Sequence, residues 1–455
     1  MIRNADYDVV VVGSGMAGSV AAVRAAELGA STVVLDRAED TTVAGSTVLA
    51  GGSVHLVHQP LDTDPEILRE GIYLQGWDET NPDTIEALVA NAARARSWVG
   101  GQGVEFQAPE EGEQQGLVPR HCSLSPPKDR GDAHAFRDRG PHRALRVLQR
   151  QARAAGAEIR GGTEVRELIQ TADGVSGVVT AAGHRVQAGV VVIADGGFGS
   201  NAELRRRFIG PAADQAFLRG SEACTGAGIM MGEAVGARLV NMRWIYGHLM
   251  HRDVFANDRL WPWPLLDGLL TRGGILVDRA GRRLVEDGQG GIWAANLLAR
   301  SADPAGAFLV VDDAIWQEAG RTSREPIAAN PAFLERGATV HRAGSARELA
   351  AIAGIDPAGL AQTLEAARPT EAELLAFPAT AGISFTMGGL AIDAGAHVLD
   401  HGGRAIPGLV AAGAAAASPA AGYIGGLATA LIFGLIAGET AARESREHAA
   451  RDGAG

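Results

Sequence analysis

Cysteine, aromatic residues and positive charge are all scarce in this chain. Cys122 and Cys224 are its two cysteines, far apart among 455 residues, which excludes a disulfide scaffold, a Cys-x-x-Cys redox pair, a four-cysteine metal cluster and a C-x-x-C-H haem attachment. Forty-one Lys and Arg stand against 53 Asp and Glu, a net charge of −12. No basic cluster is interleaved with aromatics, so nucleic acid is not an expected partner. Tyrosine occurs four times. The chain enters its first strand within seven residues, which leaves no room for the charged, apolar and cleavage regions of a signal peptide, and a cytoplasmic protein is expected. Residues 405–438 are uncharged and long enough to cross a bilayer, but they contain Pro407, Pro419 and many Gly and Ala, so a single membrane helix is not expected. No metal site is expected.

What the chain does have is glycine and a hydrophobic content of 46%, as in a globular protein. Val9 to Val12 form a β-branched run, followed at once by Gly13, Gly15 and Gly18 in G-x-G-x-x-G spacing. The first glycine permits a tight turn, the second lets the backbone approach a pyrophosphate, and the third lets the following helix lie close to the strand. That helix N-terminus, through Met16 and Ala17, would present N–H groups to phosphate oxygens. A second strand over Thr32–Leu35 ends at Asp36, placed to accept from a ribose, with Arg37 beside it. Strand, glycines, helix, strand and acid in this order predict a dinucleotide site. A second loop of small residues, 44–52, would touch a planar ligand through Ser46, Thr47, Gly51 and Gly52.

Further along, residues 60–100 and 143–154 read as helical, with a polar excursion over 106–140 between them. Short strands near 157–160, 163–168, 177–180 and 184–186 lead into a buried strand from Val190 that returns beside the first. Residues 274–278 and 282–285 read as a hairpin, residues 310–375 as mostly helical, and 423–434 as an apolar helix entered through a glycine turn, followed by a charged tail after Glu439.

The glycine turn with Asp36, then Val165, Ala194-Asp195-Gly196-Gly197-Phe198, Thr225-Gly-Ala-Gly228, Gly274-Ile-Leu-Val-Asp278 and Ala411-Ala-Gly413 resemble, in order and over nearly the whole chain, the motifs of the flavoprotein family of fumarate reductase, succinate dehydrogenase and 3-ketosteroid dehydrogenases. The resemblance implies an α/β fold and FAD rather than NAD. It implies a Rossmann-like FAD-binding domain, a parallel sheet with a β-meander, formed by residues 1–241 and 382–455, with an inserted α+β capping domain over 242–381. Val165 matches the residue beside adenine, and Ala194, Asp195, Gly196, Gly413 and Ala414 fall on cofactor-binding motifs. Asp195 stands where Thr is usual, Ala227 where Asp is usual and Ala414 where Glu is usual, which puts cofactor affinity in question. Gly45 falls where succinate dehydrogenases carry the flavin-linked histidine, so non-covalent FAD is expected. The last helix would point its positive N-terminal end, near Gly426 and Leu427, at the pyrimidine side of the flavin.

The same resemblance bears on chemistry. The arginine, histidine and arginine with which fumarate reductases hold a dicarboxylate fall here at Gly291, Phe385 and Tyr423, and a pocket without those cations does not readily desolvate such a substrate. Gly45–Gly52 and Tyr423-x-Gly425 are similar to elements of ketosteroid dehydrogenases. The implied reaction is desaturation of a cyclic ketone, a steroid or a smaller ring such as 4-oxocyclohexanecarboxylate. Tyr423 and a backbone N–H at Gly425 or Gly426 would hold the ketone oxygen, and Tyr246, assisted by His248 or His251, would remove the α-proton. Phe385, His248 and Gly425 are the expected substrate contacts, and Arg243 and Arg252 are candidates to hold a carboxylate on the ring. A quinone, oxygen or another external acceptor would reoxidise the flavin, since no second dinucleotide fingerprint is present. Two other readings remain: a fumarate reductase-like oxidoreductase acting on di- or tricarboxylates, and an FAD-binding protein without catalysis.

Overall fold

Val9, Val10 and Val11 have no exposed surface, as residues of a central parallel strand must when both faces are covered. Their strand, Tyr7–Val12, pairs in parallel with Thr32–Leu35 on one side and Arg185–Ile193 on the other, with Val10 opposite both Val33 and Val191. Glu158–Arg160 extends the sheet on the first side and Ala405–Ala411 on the second, and antiparallel His397–Leu399 closes that edge. The meander Val165–Thr171, Gly174–Thr180 leads antiparallel into Arg185–Ile193. This is the expected parallel sheet with a β-meander. The computed structural model describes residues 6–452 apart from 44, 78, 108–113, 116–117, 120–122, 126–136, 263–264, 287, 322–327 and 368–372. His121, Cys122 and most of the polar excursion therefore lie outside the described residues.

The closing helix, Gly426–Asp452, lies against the first helix, Met16–Glu27, and against the sheet. Glycine makes the approach close: a Cβ on Gly434 would stand 2.7 Å from the Ala17 carbonyl oxygen, and one on Gly438 2.6 Å from that of Ala21. The stretch Gly426–His448 is long and apolar enough to cross a membrane, yet most of it is buried inside the fold. The helix also runs through the stretch that reads in the sequence as a charged tail. Two of its charges have partners elsewhere in the fold: Glu439 pairs with Arg24 and Arg94, each at 2.8 Å. Glu444 Oε1 lies 2.7 Å from Nε2 of His397, whose Nδ1 faces Asp393. Hydrogen bonds to Asp393 and then Glu444 raise the His397 pKa to about 9.

A second sheet is built on the 13-residue strand Leu374–Thr386. It pairs antiparallel with Ile245–His251, Ala307–Asp312 and His341–Ala343, and parallel with Phe217–Leu218. The stretch 310–375 does hold helices, Asp313–Arg321, Ala329–Glu335, Ala346–Ala353 and Pro357–Ala367. The sequence reading missed the two strands that bracket them. Ala, Gly and Pro within 374–386 carry little strand propensity, and pairing with neighbours on both sides overrides it. The expected hairpin shrinks to Ile275–Val277, which pairs with Ala307–Asp312 and meets its own return through one bridge, Val277 to Arg283. The expected domain seam at 381/382 falls inside the long strand.

Gly434→Val places two methyl groups where the Ala17 backbone lies. It is expected to lower stability by about 1–3 kcal/mol or more through overpacking, read as a lower urea midpoint. An unchanged midpoint would mean that the two helices separate without cost.

Candidate active site

One continuous cavity of about 1130 Å³ runs from the glycine turn to the second sheet. It exceeds the roughly 300–1,000 Å³ of an ordinary small-molecule pocket, leaving room for a dinucleotide and a substrate together. At its sheet end Gly13 adopts φ +96°, and a Cβ there would stand 2.6 Å from the Asp195 Cα. A Cβ on Gly15 would meet nothing nearer than Thr47 Oγ1 at 3.7 Å, so its backbone is open to a ligand. Gly18 does not line the cavity; its Cβ would lie 2.0 Å from the Gly13 carbonyl oxygen, and its absence seats the helix against the strand. Asp36 Oδ2 accepts from the Ser14 N–H (2.7 Å) and hydroxyl (2.6 Å), and Oδ1 from the Ala38 N–H (2.8 Å). The carboxylate is thus oriented, with lone-pair capacity left on Oδ1. Thr47 Oγ1 accepts from the Met16 N–H at 3.1 Å, tying the second small-residue loop to the helix N-terminus. Arg37 donates to Thr225 Oγ1 at 3.0 Å. Met16, Ala17, Ser46, Gly51, Gly52, Val165, Ala194, Gly196, Gly413, Ala414 and Leu427 all line this cavity. The glycine cradle and the open backbone fit a dinucleotide cofactor.

Asp195 and the residues beside Ala227 are in contact. Asp195 Oδ2 accepts from the Gly228 N–H at 2.8 Å, and a Cβ on Gly228 would lie 2.2 Å from Asp195 Oδ1. Asp195 Oδ1 is buried with no hydrogen-bond partner, and burial pushes the carboxyl up to about 6.

At the other end, Tyr246 and His248 lie two residues apart on Ile245–His251 and so share a face. The ladder shifts register after Tyr246, which pairs with Phe385 while Gly247 pairs with Ile383. Such a bulge re-aims side chains beside a site. Buried Asn296 holds the start of this strand, accepting from the Ile245 N–H and donating to its carbonyl. The Tyr246 ring stacks on Tyr423 with centroids 3.9 Å apart and lies 5.0 Å from Phe385. Burial raises both phenols, Tyr246 well above the ordinary value, so both are neutral at rest. Gly425, at φ +123°, would carry a Cβ 1.9 Å from the His55 carbonyl oxygen, so glycine is required where the chain turns into the closing helix.

Sequence reasoning missed two residues here. Asp267 Oδ2 stands 2.6 Å from His248 Nδ1, while His248 Nε2 stands 3.0 Å from the Tyr246 hydroxyl, forming a phenol–imidazole–carboxylate chain. A Cβ on Gly291 would lie 1.8 Å from Asp267 Oδ1, so glycine at 291 makes the room that Asp267 fills. Arg219 also lines the cavity, which is therefore not free of cations. The two arginines expected to face the substrate do not line it: Arg243 pairs with Glu79 and Arg252 donates to the Ala305 carbonyl. His251 turns away as well, its Nε2 bound to the Thr339 carbonyl. Neither Asp267 nor Arg219 sits in a recognisable local motif, so no signal in the sequence singles them out.

A glycine cradle at a parallel sheet, facing a second sheet across one cavity, defines a flavoprotein with a cap over its cofactor groove. Residues 8–429 match the FAD binding domain family, and the chain is an FAD-dependent oxidoreductase belonging to that family. Among its relatives is the NADH:fumarate oxidoreductase of Klebsiella pneumoniae (strain 342), 26% identical over 473 residues, a match covering 97% of this chain and 48% of that protein. The chain thus spans about half the length of that relative. The 4-oxocyclohex-2-ene-1-carboxylate 5-dehydrogenase of Sinomonas cyclohexanicum is 28% identical over 355 residues, covering 66% of this chain and 59% of the relative. Among solved structures, the 3-ketosteroid-delta4-(5alpha)-dehydrogenase of Rhodococcus jostii RHA1 has the same fold, with a TM-score of 0.74, 23% identity, and 97% and 98% of the two chains covered.

Two outcomes are expected. Acid precipitation should release all FAD from the protein, since Gly45 offers no side chain to bond it; flavin retained on the denatured chain would refute this. Asp195, with a folded pKa of about 6 against an ordinary 3.8, binds its proton more tightly folded than unfolded. Its contribution to stability therefore falls as pH rises through that interval. The melting temperature of Asp195→Asn relative to the unsubstituted protein should thus increase from pH 4 to pH 7. A pH-independent difference would place the folded pKa at its ordinary value.

Proposed function

We propose that the protein is an FAD-dependent dehydrogenase that introduces a C=C bond α,β to the carbonyl of a cyclic ketone, a 3-ketosteroid or a smaller oxocyclohexane. The observation that carries this reading is the pair of stacked phenols, one at the head of the closing helix and the other backed by His248 and Asp267. A ketone oxygen and its α-carbon are neighbours on the substrate, and the two phenols are neighbours in the cavity. Tyr423 donates its proton to the ketone oxygen and stabilises the negative charge that develops there. Tyr246 receives the α-proton. Because Tyr246 is a neutral phenol at rest, it does so by passing its own proton to His248 Nε2, whose Nδ1–H is held by Asp267, so the imidazolium forms beside a carboxylate. Bound FAD would supply the acceptor for the β-hydrogen and its electron pair. An external acceptor such as a quinone or oxygen would complete the cycle.

The names of two similar proteins, the oxocyclohexenecarboxylate dehydrogenase and the ketosteroid dehydrogenase, support this reading. The similarity to a fumarate oxidoreductase and the presence of Arg219 favour a carboxylate oxidoreductase as the second reading. Against it, the positions where reductase cations are expected hold Gly291, Phe385 and Tyr423, all of which line the cavity.

Anaerobic stopped-flow flavin reduction separates the two. Cyclic ketones should bleach the flavin and succinate should not; the reverse result would restore the carboxylate reading. Tyr423→Phe should lower the limiting rate about a hundredfold with little change in the apparent Kd, FAD content or melting temperature. Tyr246→Phe should lower it by about 10²-fold or more. An unchanged limiting rate in both variants would remove the phenols from the chemistry.

A further inference from the structure

Arg219 follows the short strand Phe217–Leu218, which pairs in parallel with Gly382 and Ile383, and its own N–H donates to the Ile383 carbonyl at 2.8 Å. Its side chain is thereby set beside the bulge that aims Tyr246. Nη1 donates to Ser384 Oγ at 3.1 Å and Nη2 to the Pro262 carbonyl at 3.2 Å, while the guanidinium carbon lies 5.6 Å from the Trp261 ring centroid. Nε is buried and has no partner. Two of the five N–H donors of a guanidinium are thus engaged, both by neutral oxygens, and among the described residues Arg219 forms no ion pair. Arg37 is bound to Thr225 near the cofactor groove, Arg243 has Glu79, and Arg252 has a backbone carbonyl outside the cavity. A partly desolvated cation without an ion-pair partner is costly: burial lowers the Arg219 pKa, and Tyr246 and the Asp267 carboxylate, neither bonded to it, offset this only in part. An anion in the cavity would offset that cost with charge-assisted hydrogen bonds.

We propose that Arg219 is the binding site for a carboxylate carried by the substrate, with Ser384 beside it as a second donor. The substrate is then an oxo-acid on a small ring rather than a neutral steroid. Arg219 and both phenols line the same cavity, so that Tyr423 takes the ketone and Arg219 the acid. The ketone half of this assignment rests on the function proposed above; the carboxylate half does not.

The test titrates the FAD-loaded protein with cyclohexanecarboxylate and with its methyl ester, which lack a ketone, following the flavin spectrum and the heat of binding. The acid should bind at least tenfold more tightly than the ester. Arg219→Gln should remove that preference while leaving ester binding unchanged, and Arg219→Lys should keep part of it. Equal affinity of the unsubstituted protein for acid and ester would overturn the proposal even if Arg219→Gln fails to fold, and so would an acid preference that survives in a folded Arg219→Gln. Turnover is measured separately with 4-oxocyclohexanecarboxylate and its methyl ester. If neither reduces the flavin while acid binding still depends on Arg219, the ketone reading fails and the carboxylate subsite stands.

Discussion

The pairing of Ile245–His251 with Leu374–Thr386 is the constraint on which the site depends, because it fixes the cap and the cofactor groove to one ribbon. The long strand ends at Thr386, whose hydroxyl accepts from the Phe198 N–H at 3.2 Å, and a Cβ on Gly197 would lie 2.1 Å from that oxygen. One residue on, the Met387 N–H donates to the Trp244 carbonyl at 2.9 Å. The ribbon is thus clamped to the Ala194–Phe198 motif at the end where Tyr246 and Phe385 face each other. Shifting the ladder by one residue would turn Tyr246 and His248 away from the cavity, since successive side chains of a strand point to opposite faces. Asn296 and the bulge set the aim, and the length of the pairing holds it.

The cofactor half of the molecule was legible in the sequence because its requirements are local. A tight turn, a close backbone approach and an acid at a strand end each need a particular residue at a fixed spacing, and Gly13, Gly15, Gly18 and Asp36 supply them. The far end of the cavity was partly legible: the two tyrosines were read from a resemblance and His248 as a neighbour of Tyr246, and the structure gathers them into one cluster. Asp267 and Arg219 were not legible, because each reaches the site from an element whose placement depends on the second sheet. The strand Leu374–Thr386 was hidden by its Ala, Gly and Pro content, and the last turns of the closing helix by charges that mimic a solvated tail but bind Arg24, Arg94 and His397.

The departures at Asp195 and Ala227 from the motifs that this chain resembles meet in the structure. The Asp195 carboxylate accepts from the Gly228 N–H, next to Ala227, and its enclosed position raises its pKa. The two positions form one contact, so the cofactor affinity that each puts in question is judged from the pair.

Gly291 and Asp267 divide one small space between them. A Cβ at 291 would stand 1.8 Å from Asp267 Oδ1, on a carboxyl group that His248 and the Leu249 N–H hold in place. A larger residue at 291 therefore acts beyond its own position: by shifting the carboxylate it disturbs the imidazole, and through the imidazole the Tyr246 hydroxyl 3.0 Å away. The absence of one side chain is thus what lets three others line up.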